Sequence, residues 1–167
     1  MAPTRIGILS DTHLTCPSEP FKKEVVACFS DVPIIFHAGD LTSASILEVF
    51  EGKEVYAVHG NMCDGSSRQR LPALREIEIN GCKIILTHGH TFGYHDLEDR
   101  LFTQFAEADC IVYGHTHKSA CHRVGHILFI NPGSFRASGR FGSPGTYAIL
   151  EIDDQPRGKI LQIPEAR

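Results

Sequence analysis

The feature that most limits the fold of this chain is a series of short apolar runs, each cut off by a polar or glycine-bearing group. Ile6-Gly7-Ile8-Leu9 stops at Ser10-Asp11, Pro33-Ile34-Ile35-Phe36 at His37-Ala38-Gly39-Asp40, and Val55-Tyr56-Ala57-Val58 at His59-Gly60-Asn61. Lys83-Ile84-Ile85-Leu86 stops at Thr87-His88-Gly89, and Cys110-Ile111-Val112-Tyr113 at Gly114-His115. Apolar runs of this length without alternation read as strands covered on both faces. Helical spacing fills the gaps between them. Phe21 to Ser30 carries Phe21, Val25, Val26 and Phe29 behind a Ser18 to Pro20 start, and Ser43 stands where it caps a second helix bearing Ile46, Leu47, Val49 and Phe50. Asp96 to Ala108 repeats Leu97, Leu101, Phe102 and Phe105, a core-facing amphipathic stripe with no chemistry of its own. After Tyr113 the pattern turns strand-rich: Ile127 to Asn131, Thr146 to Ile152 and Lys159 to Ile163 read as strands joined by Gly, Pro and Asp turns. The alternation followed by that tail predicts mixed sheets with helices outside.

At 167 residues the chain reads as a single domain, 1–167, large enough to bury a substantial core. Sixteen basic against twenty acidic residues leave a net charge of −4, so no basic field draws it to nucleic acid or to an anionic membrane. No apolar segment approaches the ~18 residues of a membrane span. The six cysteines form no C-x-x-C pair and the start resembles no signal peptide, so reduced thiols and a cytoplasmic location are expected. The lack of cysteine pairs also argues against a structural zinc site.

Ten histidines accompany no tryptophan, and histidine is the commonest metal ligand. The groups that close the apolar runs are Asp11-x-His13, Gly39-Asp40, Gly60-Asn61, His88-Gly89-His90 and Gly114-His115-Thr116-His117. Each is weak alone, but all five fall just after a predicted buried strand, where open α/β folds gather ligands. Mixed oxygen and imidazole donors suit Mn²⁺, Fe²⁺ and Zn²⁺. Two such ions ~3.5–4 Å apart can clamp a phosphate. With two carboxylates and a hydroxide the site would keep a charge of about +1, which attracts a phosphate ester.

The ordered set D-x-H, G-D, G-N, H-G-H and G-H-T-H resembles the calcineurin-like metallophosphoesterase superfamily. The short length, G-H-T-H and Asn131-Pro132-Gly133-Ser134 are similar to its small bacterial and archaeal phosphodiesterase branch. The resemblance spans roughly residues 5 to 135. It implies an α/β fold, a four-layer α/β/β/α sandwich of two mixed sheets flanked by helices. It implies two divalent metal ions, Mn²⁺ foremost, with Ni²⁺, Fe²⁺, Zn²⁺ or Mg²⁺ as alternatives. Asp11, His13 and His117 would bind one ion and Asp40 would bridge both. Asn61, His88 and His115 would complete the second site, and Asn61 would also contact the phosphate. The implied reaction is in-line attack of a metal-bound hydroxide on a small phosphate ester. A homo-oligomer is compatible with the resemblance, and no membrane or nucleic-acid partner is implied.

Three positions depart from the family pattern. Where many members read G-N-H-D/E, this chain has Gly60-Asn61-Met62-Cys63-Asp64, so the histidine taken as leaving-group acid is missing and Asp64 falls one residue late. Leu41-Thr42-Ser43 follows Asp40 instead of a run to a second aspartate. The methionine favours diesters with good leaving groups, or another donor such as His90.

Blander readings stand beside these. His90 is an alternative ligand to His88, a substrate contact, or structural, and His37 is a hydrogen-bonding support or core packing. His59, His95, His122 and His126 receive no role. Asn131-Pro132-Gly133-Ser134 is a turn that, on the resemblance, supports the site wall. Arg136 and Arg140 are loop arginines within reach of a phosphate or simply solvated, and Cys63 is a buried inert thiol. The alternative to an enzyme is a catalytically weak or inactive protein-binding scaffold of the same fold, as in the retromer subunit of this superfamily.

Overall fold

Successive side chains along the central strands go to different cores, and that alternation builds the molecule. The computed structural model describes residues 2–136 and 144–165. Its strands are β1 (Thr4–Leu9), β2 (Ile34–His37), β3 (Glu54–Ala57), β4 (Leu74–Ile79), β5 (Cys82–Thr87), β6 (Cys110–Val112), β7 (Ala120–Val124), β8 (Ile127–Asn131), β9 (Thr146–Ile152) and β10 (Pro156–Gln162). One sheet runs β10-β9-β1-β2-β3 and the other β4-β5-β6-β8-β7. Ile6, Ile8, Phe36, Ile84, Leu86, Val112, Ile130 and Leu150 share the core between the sheets. Leu9, Ile35 and Ile149 point outward from the first sheet into a second core. Ile85, Ile111 and Phe129 point outward from the second sheet into a third. Strands with both faces covered need no polar face, which is why they read as continuous apolar runs.

Helices cover the two outer faces. α1 (Glu19–Phe29) starts at Ser18, whose hydroxyl accepts the Phe21 N–H, and buries Phe21, Val25, Cys28 and Phe29. Behind Ser43 the chain forms a 3₁₀ helix, Ala44–Phe50, and not the α-helix its cap suggested. It buries Ala44, Ile46 and Phe50 against the first sheet. α2 (Gly65–Arg70) is capped by Asp64, and α3 (Leu97–Gln104) packs Leu97 and Leu101 on the second sheet. The result is the expected four-layer α/β/β/α sandwich. β4 and β7, which periodicity did not suggest, are both edge strands with charged residues facing out. The six cysteines are unpaired, and burial pushes the thiols of Cys28 and Cys82 up to about 12 and about 11.

The topology decides where the site lies. β1, β2 and β3 run parallel with Leu9 beside His37 and His37 beside Ala57, and β5, β6 and β8 run parallel in the other sheet. The segments leaving these strands carry the candidate ligands.

Candidate metal centre

Asp11, Asp40 and His88 are buried and bring their donor atoms together. His88 Nε2 lies 3.2 Å from Asp40 Oδ2 and 4.0 Å from Asp11 Oδ1. His117 Nε2 lies 3.1 Å, and His13 Nε2 3.9 Å, from the same Asp11 Oδ1. Two trios follow, Asp11-His13-His117 and Asp11-Asp40-His88, each with donor atoms within 4.8 Å of one another. The carboxylate common to both is Asp11, whereas the expected bridge was Asp40. Asp11 Oδ1 and His88 Nε2 are buried with no hydrogen-bond partner among the described residues. Protein interiors rarely leave such atoms orphaned, and an oxygen and an imidazole nitrogen aimed at one point suit a divalent cation.

The remaining valences are held so that the free atoms point inward. Ser10 Oγ donates to Asp11 Oδ2 at 2.6 Å, and the Met62 N–H donates to Asp40 Oδ1 at 2.7 Å. His88 Nδ1 sits 2.7 Å from the Ala38 carbonyl oxygen, which fixes the proton on Nδ1 and turns Nε2 to the carboxylates. Burial opposes ionisation of Asp40, but His88 and the Met62 N–H outweigh it and lower its pKa. Burial likewise opposes charge on His88, and Asp40 and Asp11 overcome it to raise the pKa. The spot between these groups therefore favours positive charge.

Backbone conformation marks the same residues. Among the described residues, seven other than glycine have positive φ, and five of them are Asp11, His13, Asp40, His115 and His117. The left-handed region is uncommon for side-chain-bearing residues and collects at functional sites. The loops after β1 and β2 hold each other there: Asp11 N–H donates to Gly39 O, His13 N–H to Asp40 O and Leu14 N–H to Leu41 O. Gly60 and Gly114 let backbone pass close by. A Cβ on Gly60 would lie 2.1 Å from Asp40 Oδ1, and one on Gly114 would lie 2.1 Å from Ser10 Oγ.

The other expected residues are placed as follows. The ring of His115 is 5.2 Å from that of His88, and the ring of His90 is 5.5 Å from His88 and 6.4 Å from His115. Among the described residues His90 Nδ1 is buried without a partner, and burial together with the neighbouring histidines lowers its pKa. Asn61 is exposed, with its carbonyl accepting from Arg68. His37 is fully buried, accepts the Gly39 N–H at Nδ1 and faces Thr12 Oγ1 through Nε2, so it ties the two ligand loops together. Asn131 donates to Gly114 O and Thr116 Oγ1, and Ser134 Oγ donates to Asp11 O, so Asn131-Pro132-Gly133-Ser134 does brace the site. Cys63 is buried and accepts from Gly60 N–H. Arg136 is exposed and its charge acts on Glu24 of α1, and Arg140 lies outside the described residues. Of the histidines given no role, His122 pairs with Glu98 and stacks on Phe129. The ring of His59 is 6.0 Å from that of His90. Sequence reading missed Ser10 and Thr12, whose only signal was their position inside the first motif.

The family model described as calcineurin-like phosphoesterase superfamily domain matches residues 4–155. A phosphodiesterase of Methanocaldococcus jannaschii is 30% identical over 173 residues, covering 94% of this chain and 98% of its own. The crystal structure of a Streptococcus pneumoniae protein assigned as a phosphoesterase superposes with a TM-score of 0.73 at 30% identity, over 97% of this chain and 91% of that one. Vacuolar protein sorting 29 of Cryptosporidium parvum shares the fold with a TM-score of 0.73 at 19% identity, over 99% of this chain and 100% of its own. The chain belongs to the calcineurin-like phosphoesterase superfamily.

Proposed function

We propose that this member of the calcineurin-like superfamily, a metal-dependent phosphoesterase, holds two divalent ions and hydrolyses phosphodiesters of small alcohols. The observation that carries this reading is the pair of donor trios sharing Asp11 in the segments after β1, β2, β5 and β6. Asp11, His13 and His117 would hold one ion, and Asp40, His88, His115 and Asn61 the other, with Asp11 the carboxylate common to both trios. Mn²⁺ fits this donor set, as do Ni²⁺, Fe²⁺, Zn²⁺ and Mg²⁺. Such ions supply an activated water and neutralise charge building on the phosphoryl oxygens.

The chain's own groups prepare the rest. Ser10, Met62 N–H and the Ala38 carbonyl orient the donor atoms before any ligand arrives, so no reorganisation is needed during the reaction. Asn61 stands exposed, where its amide can meet a phosphate oxygen without adding negative charge. Met62 is 58% exposed and has no proton to donate to a departing alkoxide. His90 is the neighbouring ring that can donate, but burial holds it neutral, so alcohols that leave without a proton suit the site best.

The test is hydrolysis of bis-p-nitrophenyl phosphate by Mn²⁺-loaded protein. Asp40→Asn is expected to abolish the Mn²⁺-stimulated rate with the circular dichroism spectrum intact. A metal-loaded protein inactive on a panel of mono- and diesters would instead support a scaffold for protein partners on the same fold.

A further inference from the structure

Asp40 presents its two carboxylate oxygens to different partners. Oδ2 lies 3.2 Å from His88 Nε2, and Oδ1 accepts the Met62 N–H at 2.7 Å. That N–H belongs to the same peptide group as the Asn61 carbonyl, which accepts from Arg68 Nη2 at 2.5 Å. No peptide bond is cis among the described residues, so the two groups point to opposite sides of one rigid plane. A cation on the carbonyl and a carboxylate on the N–H polarise that plane in the same direction, and each bond strengthens the other. Arg68 uses the adjoining Nε for a second carbonyl, Cys63 O at 3.1 Å. Two carbonyls held on one edge of a planar guanidinium fix the orientation of the turn, which a single contact would leave free to swivel.

The fold brings Arg68 to this place. α2 is tied to the loop after β2: Asp64 N–H donates to Thr42 O, and Ser67 Oγ accepts the Ala44 N–H. Asp64 Oδ1 accepts the Ser67 N–H and so starts the helix. Helical side chains lean toward the N-terminus, so Arg68, four residues after that cap, reaches back over the turn from Asn61 to Cys63. The side chain is exposed, and the bonds it makes there are to main-chain carbonyls.

We propose that Arg68 is a positioning residue of the metal centre, holding the Asp40 carboxylate in its ligating direction through the Asn61–Met62 peptide. It touches neither ion nor substrate and acts on the centre through one main-chain plane. The inference rests on the reading of Asp40 as a metal ligand.

The test titrates Mn²⁺ calorimetrically into metal-stripped full-length protein, wild type beside Arg68→Met, Arg68→Lys and Gln69→Ala. Arg68→Met keeps an unbranched stem and loses both bonds, and Mn²⁺ affinity should fall by about tenfold or more, the usual effect of removing a group that orients a ligand. Lysine keeps the charge but cannot span two carbonyls, so Arg68→Lys should recover only part of the loss. Gln69→Ala, on the same helix, should bind as wild type does. The second readout is the Met62 amide proton resonance of the metal-free protein. It should move upfield in Arg68→Met, because a less polarised N–H gives a weaker bond to Asp40. A purely structural contribution of Arg68 to α2 would lower the melting temperature and leave that resonance in place. Wild-type affinity in Arg68→Met, an equal loss in Gln69→Ala, or an unmoved Met62 resonance would overturn the proposal. If the wild type binds no Mn²⁺, the metal reading fails, and the Met62 resonance still decides whether Arg68 acts on the bond to Asp40.

Discussion

Replacing His37 by leucine should make the protein less stable at neutral pH and, relative to wild type, less sensitive to acid. The imidazole is fully buried, accepts the Gly39 N–H at 3.2 Å and meets Thr12 Oγ1 at 3.1 Å. Leucine fills similar space but leaves both partners without a bond, and each orphaned buried polar group costs about 1–3 kcal/mol. A loss of roughly 2–6 kcal/mol is therefore expected at pH 7. Burial pushes the folded pKa of His37 down to about 3 from 6.5. Between those values the unfolded chain carries a proton that the folded chain cannot accept, so stability falls as the pH drops below 6.5. From pH 7 to pH 5 this single group costs the wild type about 2 kcal/mol. Leucine has no such proton, so the gap between the two proteins should narrow by about that amount. Urea denaturation in EDTA at pH 7 and pH 5 measures the gap directly. A gap that stays constant or widens on acidification would refute the assignment of a neutral, loop-tying histidine.

Gly60→Ala forces a methyl group to within 2.1 Å of Asp40 Oδ1, so Mn²⁺-dependent hydrolysis should drop at least tenfold while far-ultraviolet circular dichroism stays unchanged. Metal-stripped protein given Mn²⁺ at a hundred times its Kd should gain ~2.7 kcal/mol. At this chain length that raises Tm by roughly 5–10 °C, and Asp11→Asn, which removes the carboxylate common to both trios, should lose most of the shift in calorimetry. Met62→His restores a proton donor at the rim, and kcat on alkyl phosphate esters should rise by about 10²-fold, while esters of p-nitrophenol change little. An equal effect on both substrate types would show that Met62 does not stand where a leaving group departs.

The central strands were legible because both their faces are covered, so each contributes an unbroken apolar run. β8 and β9 begin and end where the pattern placed them. β4 and β7 were not legible because edge strands take charged side chains on the open face: Leu-Arg-Glu-Ile-Glu-Ile and Ala-Cys-His-Arg-Val carry too little apolar signal. The turn from Ala44 to Phe50 shows a different limit. Its cap was readable, but the choice between α and 3₁₀ lies in whether apolar residues recur at three or at three and four, and seven residues hold barely two turns.

The candidate ligands were legible from position along the chain, but not the reason they converge. Asp11-x-His13 in an extended strand would put both side chains on one face and carry them away from the other loops. In the structure both residues are left-handed, and the chain turns back on itself while its N–H groups pair with the loop after β2. Asp40 is left-handed too, so neighbouring loops bend together and keep the parallel pairing of β1 and β2 as far as the bridge between Leu14 and Thr42. His115 and His117 repeat the device in the other sheet. Each such residue costs on the order of 1–3 kcal/mol, which apolar packing around the loops has to offset. No local propensity predicts that choice, because it lowers the stability of each segment alone. It follows only once the two buried sheets are assembled and the donors of four segments come together at a common centre.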